Sequence, residues 1–271
     1  MIARFSNGWR LAGQSWQVLK QDRTLLTFPV LAGISATVAF LLLFGPGAVL
    51  SAVVEQDWVM VPFLLVAAYA ATFATVFFNV ALAGAAARSM DGQSSTLSDG
   101  IDAARVRTGA IARWSALTLF VGLIISAIQE LLEDIPVVGW LVSSLLDTAW
   151  AIVTFFVVPV LAFEDLPATD TVKRSGSIIR EQWGEGLAGT AAISLPIWLI
   201  AFVVGGGAFL LLLEPAPAAA IVIALLVLIV ASVLSAALNT IFRVALYRFA
   251  TGAPAPAAFD QAALSGAFRA K

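Results

Sequence analysis

The 271-residue chain contains no histidine and no cysteine. That removes disulfides, the usual His/Cys zinc sites, His or Cys haem ligation, and the Ser-His-Asp and Cys-His nucleophilic machineries. Charge is scarce as well. Asp, Glu, Lys and Arg make up 12% of the residues, about half the share of a soluble domain and too little to cover a water-facing globule. A formal net charge of −2 offers nucleic acid no basic surface. No metal ligand set, cofactor or catalytic residue is expected from this inventory.

What fills the space is apolar. Hydrophobic residues are 61% of the chain and the mean hydropathy is +0.96, which reads as a polytopic membrane protein. About 20 apolar residues cross a bilayer core, and charge-free runs of that kind lie near residues 25–44, 58–87, 111–129, 136–163, 187–213 and 218–242. The fold class is therefore all-α: a membrane helical bundle of six transmembrane helices.

The basic residues orient it. Arg4, Arg10, Lys20 and Arg23 precede span 1; Arg88, Arg105, Arg107 and Arg113 lie between spans 2 and 3. Lys173, Arg174 and Arg180 lie between spans 4 and 5, and Arg243, Arg248, Arg269 and Lys271 close the chain. All 15 fall on one side. The other side holds Glu55, Asp57, Glu130, Glu133, Asp134 and Glu214. The positive-inside rule then places both termini in the cytoplasm of a cell with the protein in its inner membrane. The first stretch lacks the pattern of a cleavable signal, so insertion starts from span 1.

Residues 1–23 read as a cytoplasmic amphipathic helix, because Phe5, Trp9, Ala12, Trp16 and Leu19 share one helical face. Similar segments precede spans 3 and 5, at Thr96–Arg107 and Asp170–Trp183, and residues 255–271 form a cytoplasmic tail. The membrane domain is residues 24–254. Phe5, Trp9, Trp16 and Trp183 are candidate interfacial anchors. Each odd span thus follows an interfacial segment, a pattern of three hairpin units echoed by FNVAL at Phe78–Leu82 and FRVAL at Phe242–Leu246. Alternating short outer and longer inner loops give the same pattern without duplication. Helix breakers stand at Gly45-Pro46-Gly47, Pro159, Pro196 and Gly205-Gly206-Gly207, and the first is expected to end the regular part of span 1 at Phe44.

Five polar residues are candidates for an intramembrane site: Asp147, Asn79, Asn239, Arg243 and Glu164. A carboxylate deep in hydrocarbon costs roughly 2.5–3.5 kcal/mol on insertion scales, so Asp147 calls for a reason. One is a proton or cation site on a continuous helix. The other is that residues 135–146 form an interfacial or re-entrant segment, with Asp147 capping a short span that ends at Phe163. Asn79 and Asn239 lie near the cytoplasmic ends of spans 2 and 6, with Arg243 one turn beyond Asn239, placed to join helices to one another or to Glu164.

Enzyme motifs fail. An intramembrane aspartyl protease needs two facing Asp, and only Asp147 is available. Asp99-Gly100-Ile101-Asp102-Ala103-Ala104-Arg105 misses the headgroup-phosphotransferase signature by one position, and no Walker loop is present.

Three sets of residues carry a resemblance. They are Gly8-Trp9-Arg10-Leu11 with Ser15-Trp16-Gln17-Val18-Leu19, Asp22, Leu25-Leu26 and Phe28-Pro29; Thr154-Phe155-Phe156-Val157-Val158-Pro159 with Glu164 and Lys173-Arg174-Ser175; and Trp183-Gly184-Glu185. Together they resemble a prokaryotic family of six-helix integral membrane proteins known as a domain of unknown function, with further likeness at Ala245-Leu246-Tyr247 and Phe259-Asp260. The resemblance implies the six-span fold and no activity.

Two functions remain open. One is a transporter or channel-like oligomer for ions or small solutes. The other is a membrane scaffold acting through interfacial helices, lipid or homo-oligomer contacts. The expected partners are membrane lipids and a second copy of the chain, with no nucleic acid.

Overall fold

A computed structural model describes the backbone of residues 2–132, 135–182, 186–253 and 258–259, and their side chains except those of residues 2–9, 136, 137, 181, 182 and 186–192. Among the described residues ten α-helices follow in order: α1 (Ile2–Gln21), α2 (Thr27–Val54), α3 (Val61–Met90), α4 (Leu97–Arg105), α5 (Thr108–Leu131), α6 (Pro136–Val153), α7 (Val157–Phe163), α8 (Ala168–Gln182), α9 (Gly186–Leu212) and α10 (Pro217–Ala250). No strand occurs among the described residues. Six helical segments are long and apolar enough to cross a membrane, with α6 and α7 together making the fourth. The all-α, six-span reading therefore holds, and in hydrocarbon it is the expected answer. A helix closes its backbone hydrogen bonds within itself, where no water is available to do so.

The chain packs as two compact units, Met1–Pro29 with Ala85–Leu97 and Glu181–Lys271, and Val30–Gly84 with Ser98–Arg180. In the first, α1 lies along α9 and α10, which form a close pair. Leu11, Ser15, Val18 and Leu19 of α1 are buried, and Leu25 of the following turn and Phe28 at the start of α2 are fully so. The buried face of α1 is thus offset from the expected one: Trp16 is 40% exposed and sits at its edge. In the second unit, Tyr69 of α3 donates to the Ala112 carbonyl of α5 at 3.3 Å. Trp114 of α5 stacks on Trp150 of α6 with ring centroids 5.9 Å apart.

Three of the four breaker sites do not break their helices. α2 runs through Gly45-Pro46-Gly47 to Val54, rather than ending at Phe44. α9 runs through Pro196 and the Gly205–Gly207 triplet to Leu212. Helical spans tolerate such residues when packing holds the path. At Gly47 the packing is visible, since a Cβ there would run into the Phe63 side chain of α3. Gly205 likewise lets α10 close in, a Cβ there standing 3.1 Å from Val227 Cγ1. The left-handed turn after α2 falls on Glu55, at φ 57°.

The fourth breaker, Pro159, does interrupt its span. With no N–H of its own, Pro159 cannot bond the carbonyl four residues back, and its ring crowds it. The backbone accordingly leaves the helix after Val153 and resumes at Val157.

The contact at Gly47 yields a stability prediction. Gly47→Ala should destabilise the protein by about 1–3 kcal/mol, the cost of overpacking. Gly45→Ala, where nothing stands within 4 Å, should be neutral or stabilising by up to roughly 1 kcal/mol. Thermal unfolding in detergent reads both. Equal melting temperatures for the two variants would dismiss the Gly47–Phe63 contact.

Candidate functional site

The break in the fourth span is closed by side chains of the second unit. Ser175 of α8 is fully buried, and its Oγ accepts the Phe156 N–H at 3.0 Å. One of the donors freed by the break is thereby satisfied. The neighbouring Arg174 donates through Nε to both oxygens of Glu164, at 2.9 and 3.2 Å, where α7 ends. Phe155 and Phe156 fill the break and are buried. Arg107 pairs with Asp165 at 3.4 Å. The Thr154–Pro159, Glu164 and Lys173-Arg174-Ser175 motif is therefore one mechanical element, a helix break and its staple.

The first unit carries a comparable clamp. Asp22 ends α1 and accepts the Thr24 N–H at 3.1 Å, capping a short 3-10 turn at Arg23–Leu26. Its other oxygen accepts Ser89 Oγ–H at 2.5 Å and the Ser95 N–H at 3.2 Å, and also bonds the Ser95 hydroxyl. Arg248 of α10 holds the same end of α3, bonding Asp91 at 2.9 Å and the Ala87 carbonyl at 3.3 Å. Partial burial raises the Asp22 pKa, but the hydrogen bonds from Ser89, Ser95 and Thr24 outweigh it. The carboxyl is held below its ordinary value of 3.8.

Between α1, α9 and α10 lies an apolar groove of about 460 Å³. Trp16 borders it from α1, Ile197 and Ala201 from α9, and Val227, Ala231 and Leu238 from α10. Lys20 Nζ stands 5.6 Å from the centre of the Trp16 ring, placing a cation beside the groove's one indole. Close by in the same unit, Asn239 Nδ2 donates to Ser194 Oγ at 3.0 Å, joining α10 to α9. Asn239 Oδ1 and Ser235 Oγ, one turn apart, are buried without a hydrogen-bond partner among the described residues. Arg243 is half-buried a further turn along the same face.

The candidate polar residues are divided between the two units. Asn239 and Arg243 belong to the first unit, and Asp147, Asn79 and Glu164 to the second. Within its unit, Glu164 accepts from Arg174. Asp147 lies inside α6, not at its start: Pro136 occupies the first turn, where a missing N–H costs nothing. The capping alternative is therefore corrected, and Pro136 and Gly139 mark a tight helix start instead of irregular backbone. A Cβ on Gly139 would stand 2.7 Å from the Leu132 carbonyl oxygen. Asp147 is exposed on α6, and Asn79 is partly buried in α3. Trp16 is placed at the groove; the side chains of Phe5, Trp9 and Trp183 lie outside the described residues. No group of three acidic residues able to hold a metal occurs among the described residues.

The groove and the Asp22 clamp escaped sequence reasoning. Asp22 stood within a motif, but the serines it gathers lie about seventy positions away.

These features define a multi-pass helical membrane protein. The chain belongs to DUF6159, a family of unknown function whose model matches residues 54–256. The match includes the whole break-and-staple motif, while the Gly8–Pro29 signature precedes it. Among proteins of curated function, none matches the chain.

The clamp has a pH signature. Its contribution is complete above the unfolded carboxyl value of about 3.9, and is lost as pH falls through the lower folded value. Asp22→Asn should cost about 1.5–3 kcal/mol at neutral pH, the range for hydrogen bonds to a charged group. The melting-temperature difference between wild type and variant should then shrink below about pH 4. A difference constant from pH 3 to pH 7 would count against the clamp.

Proposed function

We propose that the protein is a non-enzymatic membrane protein that holds lipid between an interfacial helix and a helical hairpin, and so works as a membrane scaffold. The observation that carries this reading is the apolar groove bounded by α1, α9 and α10. A groove of about 460 Å³ falls inside the roughly 300–1,000 Å³ range of small-molecule sites. Its lining offers little to a hydrated ion and much to a hydrocarbon chain. The polar groups elsewhere support the same reading. Asp22, Glu164, Arg107 and Arg248 are engaged in short-range bonds that tie chain segments together. The one broken span is filled by Phe155 and Phe156.

A second reading, transport of ions or small solutes, is favoured by one observation. Ser235 and Asn239 leave buried oxygens unpartnered on one face of α10, beside Ser194. A row of such acceptors is what a polar route would use.

One preparation separates the two. Protein purified in mild detergent should retain tightly held phospholipid, measured by mass spectrometry of the intact complex. Ala201→Leu and Ala231→Leu, which intrude from opposite walls, should each lower that retention while circular dichroism stays helical. Reconstituted vesicles should pass protons and potassium no faster than empty ones. Flux that disappears in Asn239→Leu or Asp147→Asn, with lipid retention unchanged in the two groove variants, would establish transport and overturn the scaffold.

A further inference from the structure

We infer that the groove takes one acyl chain of an anionic phospholipid, with the phosphate of its headgroup beside Lys20. The inference rests on the lipid-holding reading above and names the lipid.

The walls select the chain. The side chains contributed by α9 and α10 are aliphatic, so a polar guest would lose its hydrogen bonds to water and gain none. An acyl chain has none to lose, and it passes from bilayer hydrocarbon to aliphatic walls without that cost. Ala201 and Ala231, both nearly fully buried, keep the floor low where larger residues would fill it.

The rim selects the headgroup. Trp16 is the one lining residue with a polar edge, the indole N–H suited to the boundary between hydrocarbon and headgroups. The Lys20 ammonium lies over that ring at 5.6 Å. Arg23 follows less than a turn later, and neither cation has a carboxylate partner among the described residues. Asp22, which lies between them in sequence, has both its oxygens bonded to Thr24, Ser89 and Ser95. Helix α1 itself contains Arg4, Arg10 and Lys20 and no acidic residue. A basic rim alone attracts anionic lipid without choosing a place for it. Here the cation stands next to an apolar slot, and the two together make a site for an anionic lipid with one chain inserted.

The test uses the full-length protein in phosphatidylcholine vesicles, into which phosphatidylglycerol or phosphatidylcholine with brominated acyl chains is titrated. The readout is quenching of the fluorescence that Trp16 contributes, taken as wild type minus Trp16→Phe. Brominated phosphatidylglycerol should reach half-quenching at a mole fraction roughly five-fold lower than brominated phosphatidylcholine, the worth of about one basic residue beside an anionic surface. Lys20→Gln, a change at an exposed position, should abolish that ratio, and Lys20→Arg should keep it. Equal quenching by the two lipids in wild type overturns the headgroup assignment and leaves the lipid groove standing. Quenching by neither, in protein that still retains lipid elsewhere, overturns the placement. Quenching that appears only when the protein is diluted in the vesicles assigns the groove to a second copy of the chain and overturns both. Competition by free brominated fatty acid at equal mole fraction to phosphatidylglycerol overturns the phospholipid in favour of a single-chain acid.

Discussion

The structure depends on one constraint: in a hydrocarbon layer every backbone N–H and C=O must find its partner inside the protein. The long helices α2 and α9 obey it by continuing through residues that would end a helix in water. Pro46, Pro196 and the Gly205–Gly207 triplet all lie inside unbroken helices. The same constraint accounts for what happens where continuity fails. At Pro159 the helix opens, and Ser175 is carried in from α8 to accept the Phe156 N–H. Arg174, next in sequence, anchors α8 to Glu164, so the residue that repairs the break is itself held in place.

Charge follows a related economy. Few ionisable residues are present, and several of them act as fasteners. Asp22 gathers Ser89 and Ser95, and Arg248 reaches Asp91 and Ala87. These bonds secure a polar loop that would otherwise add little apolar burial of its own. Hydrogen bonds to a charged group are worth more than neutral ones, which makes a few of them enough. The groove between α1, α9 and α10 stands apart from this bookkeeping, because its walls are apolar and the Lys20 cation stands at the rim.

Much of the fold was legible in the chain, and the particular reasons are instructive. Span number followed from apolar run length, since a bilayer sets one length scale for every span. The helix breakers were legible as residues but not as events. Whether a proline interrupts a helix depends on what packs at that turn: Gly47 admits Phe63 beside Pro46, whereas Pro159 stands where Ser175 can take over a freed donor. Asp147 shows the same limit. Pro136 and Gly139 suggested irregular backbone ahead of it, yet both sit within the first turn of α6, where proline is compatible and glycine makes room for the Leu132 carbonyl. The echo between Phe78–Leu82 and Phe242–Leu246 has a physical counterpart: Val80, Ala81 and Leu82 are fully buried in α3, as Phe242, Val244, Ala245 and Leu246 are in α10.

By itself the sequence determined the lack of His and Cys, the all-helical class and the six apolar spans. These follow from composition and from order along the chain, which local physics can read. Only the tertiary structure decided which polar residues meet. Glu164 bonds Arg174, Asn239 bonds Ser194, and Asp22 bonds two serines far along the chain. It also decided that Trp16 and Lys20 border an apolar groove instead of only facing lipid. A groove is a property of three helices at once, and helical periodicity in any one of them is the same whether its neighbour touches it or stands a side chain away.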